Sequence, residues 1–115
     1  MPLKMTEDEL LTAVTDLASL RGWQWVHFRP GRTQDGEFRT MVQGPLGKGW
    51  VDLIFVRIPY QILFVELKSA AGRISHEQEG VIGYLRQLEI LGVDVLIWRP
   101  EDLDNGRIQT TLEFA

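Results

Sequence analysis

Two carboxylates and one ammonium stand in an otherwise apolar stretch of this chain. Asp52 interrupts the run WVDLIFV (50–56), and Glu66 and Lys68 close the run beginning QILFVEL (61–67). Buried Asp, Glu and Lys are rare unless they are paired or bound to metal. If the two runs form a hairpin turning about Pro59, Asp52 and Glu66 are mirror positions, each seven residues from the centre. Directly opposed residues lie ~4.5–5.5 Å apart at Cβ, and like charges there repel. A turn centred one residue away would make them diagonal neighbours, still within reach of a shared ion. Glu66 and Lys68, two residues apart, share one face of a strand. Oxygen ligands of this kind suit Mg²⁺ or Mn²⁺, since Mg²⁺ takes one or two carboxylates and keeps several waters. Such a metal polarises a phosphoryl oxygen and acidifies a water. Lys68 could then hold or deprotonate that water, or stabilise the charged transition state. The bland alternative is a strand-end ion pair between Glu66 and Lys68, with Asp52 capping a turn.

The elements that must position these groups are legible in the pattern. Leu10, Leu11, Val14, Leu17 and Ala18 follow the spacing of one helical face. Thr6 and Glu9 form a capping box before them, and Gly22 stops the helix. WQWVHF (23–28) reads as a strand. Residues 29–49 are a long polar, glycine-rich connection with 38–42 extended. The two apolar runs read as a hairpin buried on both faces. Residues 75–91 predict a second helix with Val81, Ile82, Leu85, Leu88 and Leu91 inward, capped by Ser75 and Gln78. VDVLIW (93–98) reads as a buried strand, 100–106 as a turn region and 107–114 as an edge strand. The order predicts an α/β three-layer domain with a mixed central sheet.

The 115 residues fit one domain spanning 1–115, with 44% hydrophobic and 24% charged residues. With no cysteine, the chain excludes a disulfide framework, a thiolate metal site and a cysteine nucleophile. The first residues, MPLKMTEDEL, are too polar for a signal peptide, and no apolar run approaches the ~20 residues of a membrane span. These features predict a cytoplasmic protein with no membrane partner. The net charge of −4 is unevenly spread. Residues 29–73 carry seven basic and four acidic residues, a net +3 inside an acidic chain. Chance and solvated faces would give the same pattern. His27, Arg29 and Arg32, before and in the long connection, have donors that suit phosphate oxygens. Arg73 follows Gly72 just before a helix N-terminus, itself a ready anion site. The four tryptophans, Trp23, Trp25, Trp50 and Trp98, read as core or interface residues.

The ordered set of motifs resembles the VRR-NUC family of the PD-(D/E)xK nuclease superfamily. The resemblance is carried by His27-Phe28-Arg29-Pro30, Gly49-x-x-Asp52, Phe64-Val65-Glu66-Leu67-Lys68, Gly72-Arg73-Ile74-Ser75 with Gln78, and Val95-Leu96-Ile97-Trp98-Arg99-Pro100. It spans residues 6 to about 104, and the chain looks like the small standalone members found in phages and bacteria. Glu-x-Lys alone is weak; the ordered set is fairly specific. One departure is Val51, where the family usually has Pro before the Asp. The resemblance implies a restriction-endonuclease-like core of order αβββαβ. It implies metal binding by Asp52, Glu66 and the backbone carbonyl of Leu67, with Lys68 catalytic. That fold class usually adds an acid from the first helix, for which Glu7 and Glu9 compete. Glu7 lies on the side of Leu10 and Leu11, whereas Glu9 is explained by the capping box; both also complement the helix dipole. Gln78 has two competing roles, capping Ser75 or sitting at the active site. The activity implied is a Mg²⁺- or Mn²⁺-dependent DNA endonuclease, structure-selective and Holliday junction resolvase-like as a homodimer, in a bacterial or phage-infected cytoplasm. A flap or nicking nuclease with the same site, and a non-catalytic nucleic-acid-binding module, are the alternatives.

Overall fold

In this computed structural model, which describes residues 5–28, 31–32, 38–39, 42–59, 61–89 and 92–114, Thr6 caps the first helix as the sequence predicts. Its side chain accepts from the Glu9 N–H at 3.1 Å while Glu9 accepts from the Thr6 N–H at 3.2 Å. Two orphan amides at the helix start are satisfied in this way. In chain order the elements are α1 (Glu7–Leu20), β1 (Gln24–His27), β2 (Gly31–Arg32), β3 (Phe38–Arg39), β4 (Leu53–Arg57), β5 (Gln61–Leu67), α2 (His76–Arg86), β6 (Val93–Trp98), α3 (Pro100–Asp104) and α4 (Arg107–Phe114).

Four strands form one mixed sheet in the order β1-β4-β5-β6. β1 and β4, and β4 and β5, pair antiparallel, while β5 and β6 are parallel across the α2 crossover. β2 and β3 make a separate two-residue hairpin inside the long connection. The β4–β5 register runs from Leu53 opposite Val65 to Arg57 opposite Gln61. It is therefore centred on position 59, where the Ile58–Pro59 bond is cis. Carried one step past Leu53, that register brings Asp52 opposite Glu66.

Strand alternation divides the core into two layers. Leu53, Phe55, Leu63, Val65, Leu67 and Trp98 pack with Leu10, Val14 and Ala18 of α1 and Ile108 and Leu112 of α4. On the other face Val95, with half-buried Ile54, Phe64 and Ile97, lies under Val81, Ile82 and Leu85 of α2. The domain is thus mixed α/β, with a four-stranded mixed sheet flanked by helices. Both hairpin strands were expected to be buried on two faces, but Val56 is exposed. On that face Ile54 still reaches the α2 cluster, while Val56 and its neighbour Val26 of β1 stay exposed. Helix α2 also ends at Arg86, not 91, so Leu88 is exposed; Leu91 lies outside the described residues.

The larger correction is at the C-terminus. Residues 100–106 were expected as a turn region and 107–114 as an edge strand; they form α3 and α4. Pro100 suits the first turn of α3, since its missing N–H is one of the orphans there. In α4, Ile108 and Leu112 are four apart and both fully buried. Trp23 donates its Nε1–H to the Leu112 carbonyl at 2.8 Å, and Arg57 donates to the same oxygen at 2.9 Å while its guanidinium lies 4.3 Å over the Trp23 ring. Burial and these bonds override the β-branched composition of the segment. Leu112→Ala is accordingly expected to destabilise the domain by roughly 2–5 kcal/mol in urea unfolding. A near-neutral result would contradict a core role for α4. Among the described residues, no helix is long and apolar enough to cross a membrane.

Candidate active site

Glu66 is the least expected residue in the core: its side chain is 1% exposed in a sheet otherwise lined by apolar groups. Alternation along β5 turns it away from Val65 and Leu67 and toward α2. There the Gln78 Nε2–H donates to Glu66 Oε2. Lys68, one pleat further on, brings Nζ to 3.8 Å from the same oxygen and is itself only 14% exposed. Glu66 Oε1 is buried with no hydrogen-bond partner. The Asp52 carboxyl lies within hydrogen-bonding reach of Glu66, but two carboxylates bond only through a shared proton. Burial, then the charge and contact of Asp52, push the Glu66 carboxyl up to about 9; Lys68 pulls it down, and Glu7 adds a smaller push upward. At neutral pH burial and the neighbouring Asp52 therefore favour the protonated form of Glu66.

Asp52 stands just ahead of β4, and its Oδ2 accepts the Leu67 N–H at 2.7 Å. The carboxylate thereby takes a ladder position that a backbone carbonyl would otherwise fill. In a strand the N–H and C=O of one residue point to the same side, so the Leu67 carbonyl also points toward Asp52. The main chain of Asp52 is tied down by the Phe28 N–H, which donates to its carbonyl at 2.7 Å.

The first turn of α2 and the loop before β4 lock these groups in register. Ser75 accepts from the Gln78 N–H at 3.1 Å, and Gln78 Oε1 accepts from the Ser75 N–H at 2.9 Å. The capping and site roles, expected to compete, are held at once: Oε1 serves the cap and Nε2 serves Glu66. Gly49 has φ +95°, and a Cβ there would lie 2.5 Å from the Glu77 carbonyl. Glycine thus lets the loop leading to Asp52 rest directly on α2. Lys48 reinforces the contact with an exposed ion pair to Glu77 at 3.3 Å. Gly49→Ala is expected to cost about 1–3 kcal/mol through the left-handed backbone alone, with a further loss as α2 shifts off Asp52. Thermal unfolding with and without Mn²⁺ measures both, the second as a weakened cation response.

The other predicted residues are distributed less closely. Glu7 is exposed in the first turn of α1, not inward as expected, although its charge reaches Glu66. Glu9 is committed to the cap. Among the described residues, no group of three or more His, Asp or Glu side chains is placed to hold one ion, so Glu7 does not complete a third carboxylate. The pair that remains, Asp52 and Glu66 with Glu66 Oε1 reached by no N–H or O–H donor, has the oxygen chemistry that suits a Mg²⁺ or Mn²⁺ ion retaining waters. His27 is paired with Leu53 and so lies on the α1 face, across the sheet from Glu66. Arg73 is exposed beside the start of α2. Arg29 lies outside the described residues, and of Arg32 only the backbone is described. Trp23 and Trp98 are core residues; Trp50 stacks edge-to-face between Phe28 and Phe64, and exposed Trp25 donates to Ser19. Gly49 was visible only as part of a motif, and nothing in its spacing announced the close approach to α2.

No protein-family model matches this chain, and neither a curated protein nor a solved structure matches it.

Proposed function

We propose that this chain is a divalent-cation-dependent DNA endonuclease with a restriction-endonuclease-like core. The observation that carries the reading is Glu66, a buried carboxyl set between Lys68 and Asp52, which reaches it only through a shared proton. Burying such a group is costly unless a cation or proton completes it. Asp52, Glu66 and the Leu67 carbonyl would hold Mg²⁺ or Mn²⁺. When bound, the ion would supply Lewis-acid polarisation of a phosphoryl oxygen and a more acidic water. Lys68, beside Glu66, holds the attacking water or stabilises charge developing on the phosphate. Gln78 keeps the Glu66 carboxyl aimed at Asp52. Arg73, exposed beside the start of α2, supplies a phosphate contact, and Arg29 and Arg32 are further candidates on their residue type alone.

The reading we favour is a homodimer acting on branched DNA, since two sites related by a twofold axis suit symmetric cuts in a four-way junction. The net charge of −4 gives little sequence-independent affinity for duplex, which favours selection by shape. The test is cleavage of labelled four-way junction, flap, nicked and linear duplex DNA with Mn²⁺, Mg²⁺ or EDTA. Cutting is expected with either cation, strongest on the junction, absent in EDTA and lost in Lys68→Ala. DNA binding without cutting by the wild type, on every substrate, would sink the enzyme reading and favour a binding module.

A further inference from the structure

The turn joining Lys68 to α2 is held from outside the site. Arg99, just beyond β6, reaches across and donates from Nη1 to the Ser69 carbonyl at 2.8 Å and the Gly72 carbonyl at 2.6 Å. The Gly72 N–H closes the turn on the same Ser69 oxygen at 3.1 Å. Arg99 is itself anchored: Asp102, buried in α3, accepts its backbone N–H at 2.9 Å. One residue earlier, the Trp98 carbonyl accepts the Lys68 N–H at 3.0 Å. The turn also lies along the Lys68 side chain, since a Cβ on Gly72 would sit 3.5 Å from Lys68 Cδ. Its far end leads to Ser75, whose capping box holds Gln78 and through it Glu66.

We infer that Arg99 is a positioning residue for this site, acting through the 69–72 turn on Lys68 and, through Ser75 and Gln78, on Glu66. The inference deepens the nuclease reading, on which its kinetic consequence rests. The placement of Lys68 can be tested without that reading. A planar guanidinium with two N–H groups on one nitrogen suits two carbonyls at once. A Lys side chain is one bond shorter and cannot put its nitrogen in the same place without moving the turn.

The experiment is trace acetylation of the intact protein, read residue by residue by mass spectrometry in the wild type, Arg99→Lys and Arg99→Gln. Exposed Lys48 serves as the internal reference. With the turn released, Lys68 is expected to be modified roughly tenfold faster in Arg99→Gln, as suits the loss of two charge-assisted bonds. Arg99→Lys should fall between it and the wild type, and Lys48 should not change. Equal Lys68 rates in all folded forms would overturn the inference. So would a parallel rise at Lys48 and Lys68, which marks general loosening. If Arg99→Gln does not fold, the comparison of Arg99→Lys with the wild type decides in the same way. On cleaved DNA, misplacement of Lys68 should lower kcat by about 10- to 100-fold with KM little changed. A wild type that does not cut counts against the nuclease reading, while the labelling result still decides the role of Arg99.

Discussion

Glu66→Gln is expected to make the cation-free protein more stable, increasingly so toward alkaline pH, and to abolish its response to Mg²⁺ or Mn²⁺. The folded carboxyl is raised to about 9 from an ordinary value of 4.5. Between those limits the native state holds a proton that the unfolded chain releases. Stability therefore falls as pH rises: the contribution is complete below the unfolded value and is lost as pH climbs through the folded one. A full proton difference gives a slope of ~1.4 kcal/mol per pH unit, so the effect across the window is on the order of a few kcal/mol. The replacement amide needs no proton. It can donate to Asp52 and accept from Gln78, filling both positions that the carboxylic acid fills. Urea unfolding in EDTA from about pH 5 to pH 9 should show a downward slope in the wild type and a flatter line in the variant. Added cation should lift the wild type, by about 2.7 kcal/mol at a hundred times Kd, and leave the variant unmoved. An unchanged pH slope in the variant would remove the argument that Glu66 is the group awaiting a cation.

The part of the site built by local rules is legible in the sequence. The pairing of Asp52 with Glu66 follows from counting outward from Pro59, because a hairpin register leaves no freedom once its centre is set. The capping boxes at Thr6 and Ser75 are likewise local, four-residue patterns. What depends on distant packing is not legible. In RIQTTLEF, β-branched residues point to a strand, yet Ile108 and Leu112 at helical spacing seat on α1 and Trp23, and burial decides. Glu7 looked inward from its spacing, but in the first turn of α1 its side chain meets solvent, while Leu10 three residues on is fully buried. Gly49 and Arg99 act across 27 residues or more of chain, on Glu77–Gln78 and on Ser69 and Gly72 respectively. No local periodicity encodes such contacts. Gln78 shows the limit in one side chain: the sequence offers two roles, and only the placement of α2 over β5 reveals that its two terminal atoms divide them.

That division makes Gln78 the sharpest point at which to separate folding from function. Gln78→Glu keeps the capping box, because a Glu at this helix position accepts from the Ser75 N–H as well as a Gln does. It loses the Nε2–H that now holds Glu66 Oε2. It also sets a third carboxylate against Glu66 and Asp52, where like charges already raise the Glu66 carboxyl. Gln78→Ala removes both the cap and the donor. The cap alone is worth ~1 kcal/mol. The two variants should therefore rank oppositely by two readouts. In thermal unfolding at low pH, where the added carboxyl is protonated, Gln78→Ala should be the less stable. In cation-dependent DNA cleavage both should fall by about 10- to 100-fold, the range for partners that orient a metal ligand, with Gln78→Glu at least as impaired despite its intact cap. Glu could instead join Asp52 and Glu66 as a third ligand and raise cation affinity. That outcome would show that Gln78 limits charge at the site and does not chiefly aim Glu66. Activity that tracks stability across both variants would mean that Gln78 serves the helix and leaves the chemistry to Asp52, Glu66 and Lys68.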